Sequence, residues 1–137
     1  VANAELREAE RRLEATMVQF VRGSAALAPG QDGALATLVS EVRRLDAVAR
    51  QWGVRYRVTI TGHTDADGPP ERNLELSRER AAVVADALRR ESFAALIFEA
   101  RGMGSAEPLT TGTTDADKQR NRRVAVRIAP LAETLRP

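Results

Sequence analysis

No cysteine occurs in the 137 residues, so disulfides, thiolate metal sites and cysteine nucleophiles are excluded, while the redox compartment stays open. Histidine occurs once, at His63, and of the 21 basic residues only Lys118 is a lysine. No apolar run approaches the ~20 residues that a bilayer-crossing helix needs. Aromatic residues make up only 4% of the chain, so the core is expected to consist of Leu, Val, Ile and Ala. Neither a signal peptide nor a starting Met is present. The chain reads as an excised or processed piece whose targeting information has been cut away.

What is present suits one compact domain: 43% of the residues are apolar, enough to fill a single core. The net charge is only +2, and arginine's very weak acidity explains the high isoelectric point without a nucleic-acid partner. The cluster Lys118, Arg120, Arg122 and Arg123 reads as a solvated surface.

Residues 2–14 are polar and charged, and are expected to form a helix or linker that docks weakly. "TMVQFVRG" predicts a first strand ending at Gly23, and a Pro- and Gly-punctuated loop follows. From Ala34 to Trp52, apolar residues recur at three- and four-residue steps, an amphipathic helix with Gly53 as its stop. "VRYRVTIT" alternates, with Val54, Tyr56, Val58 and Ile60 on one face. A second helix is predicted from Pro70 to about Glu91, with Leu76, Val83, Val84, Ala87 and Leu88 as its core stripe. "LIFEARGMG" predicts a third strand, residues 105–120 a long polar loop, and "NRRVAVRIA" a closing strand. The order β-α-β-α-β-β, with two β-α-β passages, predicts an α/β two-layer sandwich: a mixed four-stranded sheet covered by helices. The expected divisions are a helix or linker at 1–14, a domain at 15–130 and a frayed tail at 131–137.

The chemistry concentrates in "GHTDADGPPERNLELSRERA", Gly62 to Ala81. Asn73 and Arg80 are seven residues apart on one helix and share a side. Asp65 lies in the loop before it, at the carboxyl end of a strand, where ligands of α/β sheets often bind. Arg80 falls beside the apolar stripe, and a buried guanidinium needs a partner. The open readings are structural, an ion pair between Arg80 and Asp65 or an arginine that snorkels to water, or a clamp in which Arg80 grips a carboxylate and Asp65 an ammonium of one bound zwitterion. His63 lacks acyl-transfer machinery around it and is expected to fix the loop through a side-chain hydrogen bond. Ser77 has no elbow motif and reads as a helix-surface hydroxyl. "DADG" lacks the rest of a calcium loop, so neither metal nor cofactor is expected.

The stretch resembles the signature of the OmpA-like peptidoglycan-binding family: GHTD, two residues, Gly, four residues, Asn, two residues, Leu-Ser, two residues, Arg-Ala. Every one of these positions is matched between Gly62 and Ala81. "GSAAL", "GMGSAEP" and "NRRV" are further similar segments, and the likeness runs from about Met17 to Ile128. The resemblance implies non-covalent, non-enzymatic binding of peptidoglycan through the meso-diaminopimelate of its stem peptide, in the periplasm of a Gram-negative-type envelope. It assigns the ammonium to Asp65, the carboxylate to Arg80, a pocket-lining role to Asn73, and supporting hydrogen bonds to backbone near Thr64 and Asp67. Where some members carry an asparagine after the first strand, this chain has Gly23 and Ser24, and Ser24 is a candidate replacement contact. Asp67 adds a carboxylate beside the ammonium subsite. Membrane anchoring would come only from upstream sequence. The rival expectations are a scaffold or oligomerisation module, a wall-fragment hydrolase using His63 with Asp65 or Ser77, and a nucleic-acid binder using Arg120, Arg122 and Arg123.

Overall fold

The computed structural model describes residues 3–131. In chain order the elements are α1 (Ala4–Glu14), β1 (Met17–Gln19), α2 (Asp32–Trp52), β2 (Tyr56–Gly62), α3 (Pro70–Arg89), β3 (Leu96–Gly102), α4 (Asp115–Asn121) and β4 (Arg123–Pro130). They form the expected mixed four-stranded sheet with helices on it, in the order β1-β4-β2-β3. The tail expected at 131–137 lies, beyond Leu131, outside the described residues.

β2 and β3 pair in parallel, from Tyr56↔Leu96 to Gly62↔Gly102. The first β-α-β passage does not end in a direct pair. β4 inserts between β1 and β2, antiparallel to both, because the last strand of the chain finds two unfilled edges there. The inward face of β2 carries Tyr56, Val58 and Ile60, and Val124 and Val126 of β4 join them in one core with Leu38, Val42, Leu45, Val84 and Leu88. α2 stops where Gly53 takes a left-handed φ of 67°, a conformation open to glycine at no steric cost.

Two expectations about helices fail. α1 does not dock weakly: its narrow stripe Leu6, Ala9 and Leu13 is buried in the core. Burying each such leucine contributes about 1.5–3 kcal/mol. The Tyr56 hydroxyl donates to Glu10 at 2.6 Å and the Ile128 amide to Glu14 at 2.9 Å, tying α1 to the sheet. The 105–120 segment is not all loop, since it holds α4. Thr114 and Asp117 cap that short helix reciprocally, a capping box that satisfies orphan N-terminal donors.

α3 is set by a glycine pair. Gly62 and Gly102 are cross-strand partners at the ends of β2 and β3. A Cβ on Gly62 would collide with the Ser77 carbonyl oxygen, and one on Gly102 with the Ser77 hydroxyl. The missing side chains let α3 lie directly on the strand ends. Ser77 is therefore fully buried and not a surface hydroxyl: its Oγ donates to the Leu74 carbonyl at 2.8 Å and accepts from the Gly104 amide at 2.9 Å. The buried stripe of α3 is rotated from the expected one, running through Asn73, Leu76, Ser77, Arg80, Ala81, Val84, Ala85 and Leu88.

Candidate functional site

The loop after β2 is held on both sides by backbone. The His63 amide donates to the Arg123 carbonyl at 2.8 Å and the Thr64 amide to the Gly104 carbonyl at 2.9 Å. The Thr64 hydroxyl donates to the Asp65 carbonyl at 2.8 Å, and the Asp67 amide to Asp65 Oδ1 at 3.0 Å, so the turn closes on its own side chains. Asn73, in the first turns of α3, reaches back with Nδ2 to the Asp67 carbonyl at 3.1 Å.

A cavity of about 190 Å³ opens beside this loop, lined by Arg22, Gly23, Thr64, Asp65, Asp67, Gly68, Asn73, Leu76 and Arg80. All five residues singled out from the sequence thus border one space. Ser24 is not among them: its hydroxyl accepts from the Ala26 amide at 2.9 Å.

Asp65 and Arg80 are not bonded to each other. Arg80 is 1% exposed and gives Nε to the Ser24 carbonyl at 2.9 Å, Nη1 to the His63 carbonyl at 2.9 Å and Nη2 to the Val21 carbonyl at 3.0 Å. Its guanidinium also lies 5.6 Å from the centre of the Phe20 ring. Three bonds use three of the five guanidinium N–H groups. Burial lowers the Arg80 pKa to about 10, with the Asp65 charge opposing the shift, so the group stays cationic at neutral pH. Asp65 instead takes Arg122, whose Nε donates to Oδ2 at 2.7 Å while Nη1 donates to Gln119 Oε1 at 3.0 Å. Both partners of that ion pair are about nine-tenths buried.

The basic cluster was read as solvated surface. Arg120 is exposed and Lys118 half-buried, but Arg122 and Arg123 are buried. β4 begins between them, so Arg122 turns to the Asp65 loop while Arg123 enters the sheet. Lys118 Nζ lies 3.2 Å and Arg22 Nη2 3.9 Å from Asp67 Oδ2, placing two cations beside the mouth. Sequence reasoning missed Arg22, Arg122 and Lys118 as part of this site. The one available signal was the "NRRV" segment, which carries Arg122.

His63 does not fix the loop with its ring. Nδ1 is buried without a hydrogen-bond partner, and the residue is held through its backbone. Burial, with the nearby charges of Arg123 and Arg127, lowers its pKa to about 4. It borders a separate cavity on the outer side of the sheet. Among the described residues, no group of three or more His, Cys, Asp or Glu side chains is arranged to hold a metal ion.

Fold and site together describe a helix-covered mixed sheet with an acidic turn and a buried arginine at one end. The family model for OmpA matches residues 19–122, and the chain belongs to the OmpA family. Among solved structures, the peptidoglycan-associated lipoprotein from Burkholderia pseudomallei superposes with a TM-score of 0.67 at 28% identity, covering 83% of this chain and 90% of that one. Among curated relatives, a probable lipoprotein of Escherichia coli, YiaD, is 36% identical over 74 residues, 54% of this chain and 34% of that protein. The peptidoglycan-binding protein ArfA of Mycobacterium tuberculosis is 39% identical over 70 residues, 51% of this chain and 22% of that protein. The chain therefore corresponds to about a third or less of these two curated relatives.

Proposed function

We propose that this domain binds peptidoglycan without catalysis, taking the zwitterionic end of meso-diaminopimelate into the cavity between the Asp65 loop and α3. One observation carries the reading: Asp65 and Arg80 border the same space and are not bonded to each other. An ammonium is received by Asp65, whose carboxylate oxygens have acceptor sites beyond those used by Arg122 and the Asp67 amide. The carboxylate is received by the remaining N–H groups of Arg80, held in position by three backbone carbonyls. Asn73 keeps the turn closed through the Asp67 carbonyl, and Asp67 adds negative charge at the mouth. Relatives named as peptidoglycan-binding or peptidoglycan-associated support the assignment, and they favour a periplasmic, envelope-associated setting.

The arrangement does not favour a hydrolase. His63 borders a different cavity from Asp65, and the Ser77 hydroxyl is fully buried in contacts with Leu74 and Gly104. Affinity for one stem peptide is expected to be modest, because few contacts oppose the cost of ordering a flexible ligand. Repetition of the ligand along the wall raises the effective strength.

Co-sedimentation with purified sacculi tests the reading. Asp65→Asn removes the charge and keeps one of the two oxygens, enough for Arg122 or the Asp67 amide but not both, so folding of the variant is verified first. Retention should fall about tenfold, the equivalent of one charge-assisted hydrogen bond. Free meso-diaminopimelate should compete, and a stem peptide with lysine in place of diaminopimelate, whose side chain ends in an ammonium alone, should not. Equal retention of wild type and a folded Asp65→Asn variant refutes the assignment.

A further inference from the structure

Among the described residues, Arg123 is the buried arginine whose side chain is least satisfied. Arg80 has three carbonyls and Arg122 a carboxylate. Arg123, 6% exposed, donates only from Nη2 to the Glu107 carbonyl at 3.2 Å, and its Nε and Nη1 have no partner within the protein. Among the described residues no carboxylate forms an ion pair with Arg123, although the charge of Glu107 is near enough to oppose the lowering of its pKa by burial. An unpaired buried guanidinium is destabilising unless a ligand or water meets it. The neighbouring His63 Nδ1, on a ring that is 4% exposed, is likewise unpartnered.

The side chains of Arg123 and His63 line a cavity of about 380 Å³ on the outer face of the sheet. Thr61, Ala125 and Arg127 of the strands form its floor, and Pro108 and Leu109 an apolar wall. We propose that this cavity is a second binding site, distinct from the Asp65 cavity, that accepts an oxyanion, a carboxylate or phosphate group carried by a larger ligand, on Arg123 and His63. The charges bordering it are Arg123 and Arg127, both positive, and the carboxylate of Glu107. With His63 neutral, their sum is a single positive charge, which matches a monoanionic carboxylate better than a phosphate dianion. The volume exceeds that of a lone carboxylate, so Leu109, exposed at the rim, packs against the apolar body of the ligand. This site does not depend on wall binding at Asp65.

The test is NMR of the isotope-labelled domain, following the Arg123 Nε–H and His63 ring signals. Sodium acetate and inorganic phosphate are titrated separately, each replacing chloride at a constant ionic strength of about 0.1 M. Saturable movement of both signals, with a rise in the His63 pKa from its value near 4, is the expected result. Saturation with acetate at lower concentration than phosphate identifies the carboxylate as the preferred group, and the reverse order a phosphate. Arg127 is exposed, so Arg127→Gln should fold normally and weaken binding roughly threefold, as loss of one exposed charge does. Arg123→Gln should abolish the His63 response. The proposal is overturned if neither anion moves the Arg123 signal saturably, or if the His63 response is the same in both folded variants as in wild type.

Discussion

Arg80→Lys separates the role of charge from the role of the guanidinium's shape. The arginine holds three carbonyls that come from two distant segments, Val21 and Ser24 after β1 and His63 after β2. A lysine ammonium is a compact point charge and cannot span this fork. It can keep about one of the three bonds, so two charge-assisted bonds are lost at roughly 1.5–3 kcal/mol each. The Val21 carbonyl is partly protected, because it also accepts from the Ser24 amide at 3.1 Å. The net loss is therefore expected near 3 kcal/mol, toward the lower end of that range. For a domain of this length that corresponds to a fall in Tm of about 10 °C. Urea unfolding at pH 7 measures it directly, with the midpoint shifting and the m-value unchanged. A loss below about 1 kcal/mol, or an Arg80→Met variant as stable as wild type, refutes the reasoning. Either result means that desolvation of the guanidinium cancels its three bonds. Arg80 and Asp65 both carry structural load, so the proposed ligand binding is compared only between variants shown to be folded.

Gly62→Ala should destabilise the domain by 3 kcal/mol or more, or prevent folding. Its Cβ meets the backbone of Ser77 in α3, which yields only if the helix shifts; near-native stability in urea would show that α3 moves freely over the strand ends. A pH effect follows from His63. Its folded pKa, about 4, lies below the unfolded value near 6.5, so the unfolded chain binds the extra proton. Stability is fully present above pH 6.5 and is lost as pH falls toward 4, by about 1–2 kcal/mol after allowance for solvent screening at the cavity. His63→Gln should flatten that slope relative to wild type in urea titrations between pH 7 and 4.5, and an unchanged slope refutes the assignment to His63.

Much of the Asp65 cavity was legible before folding is considered. Asp65, Asn73 and Arg80 fall within one loop and the helix after it, where local spacing decides which residues share a side. The apolar alternation of β2 and the three- and four-residue steps of α2 were equally readable, because each depends only on the geometry of its own element. Less legible was α1, where four apolar positions in 11 residues, two of them alanines, make a stripe too narrow to distinguish a docked helix from a solvated one. α4, at seven residues, is too short for periodicity to register, and only its Thr114–Asp117 capping pair marks it.

By itself the sequence determined the class of fold, the loop-and-helix frame of the Asp65 cavity and the residues able to meet opposite charges there. Tertiary structure alone decided who bonds to whom. It inserted β4 between β1 and β2, brought Arg122 to Asp65 across 57 positions, surrounded Arg80 with carbonyls, and left Arg123 and His63 lining an outer cavity with buried side-chain nitrogens unpaired. The reason is physical: periodicity reports which face of an element is buried, whereas the partner of a buried charge is set by backbone atoms and side chains that only chain crossing brings near.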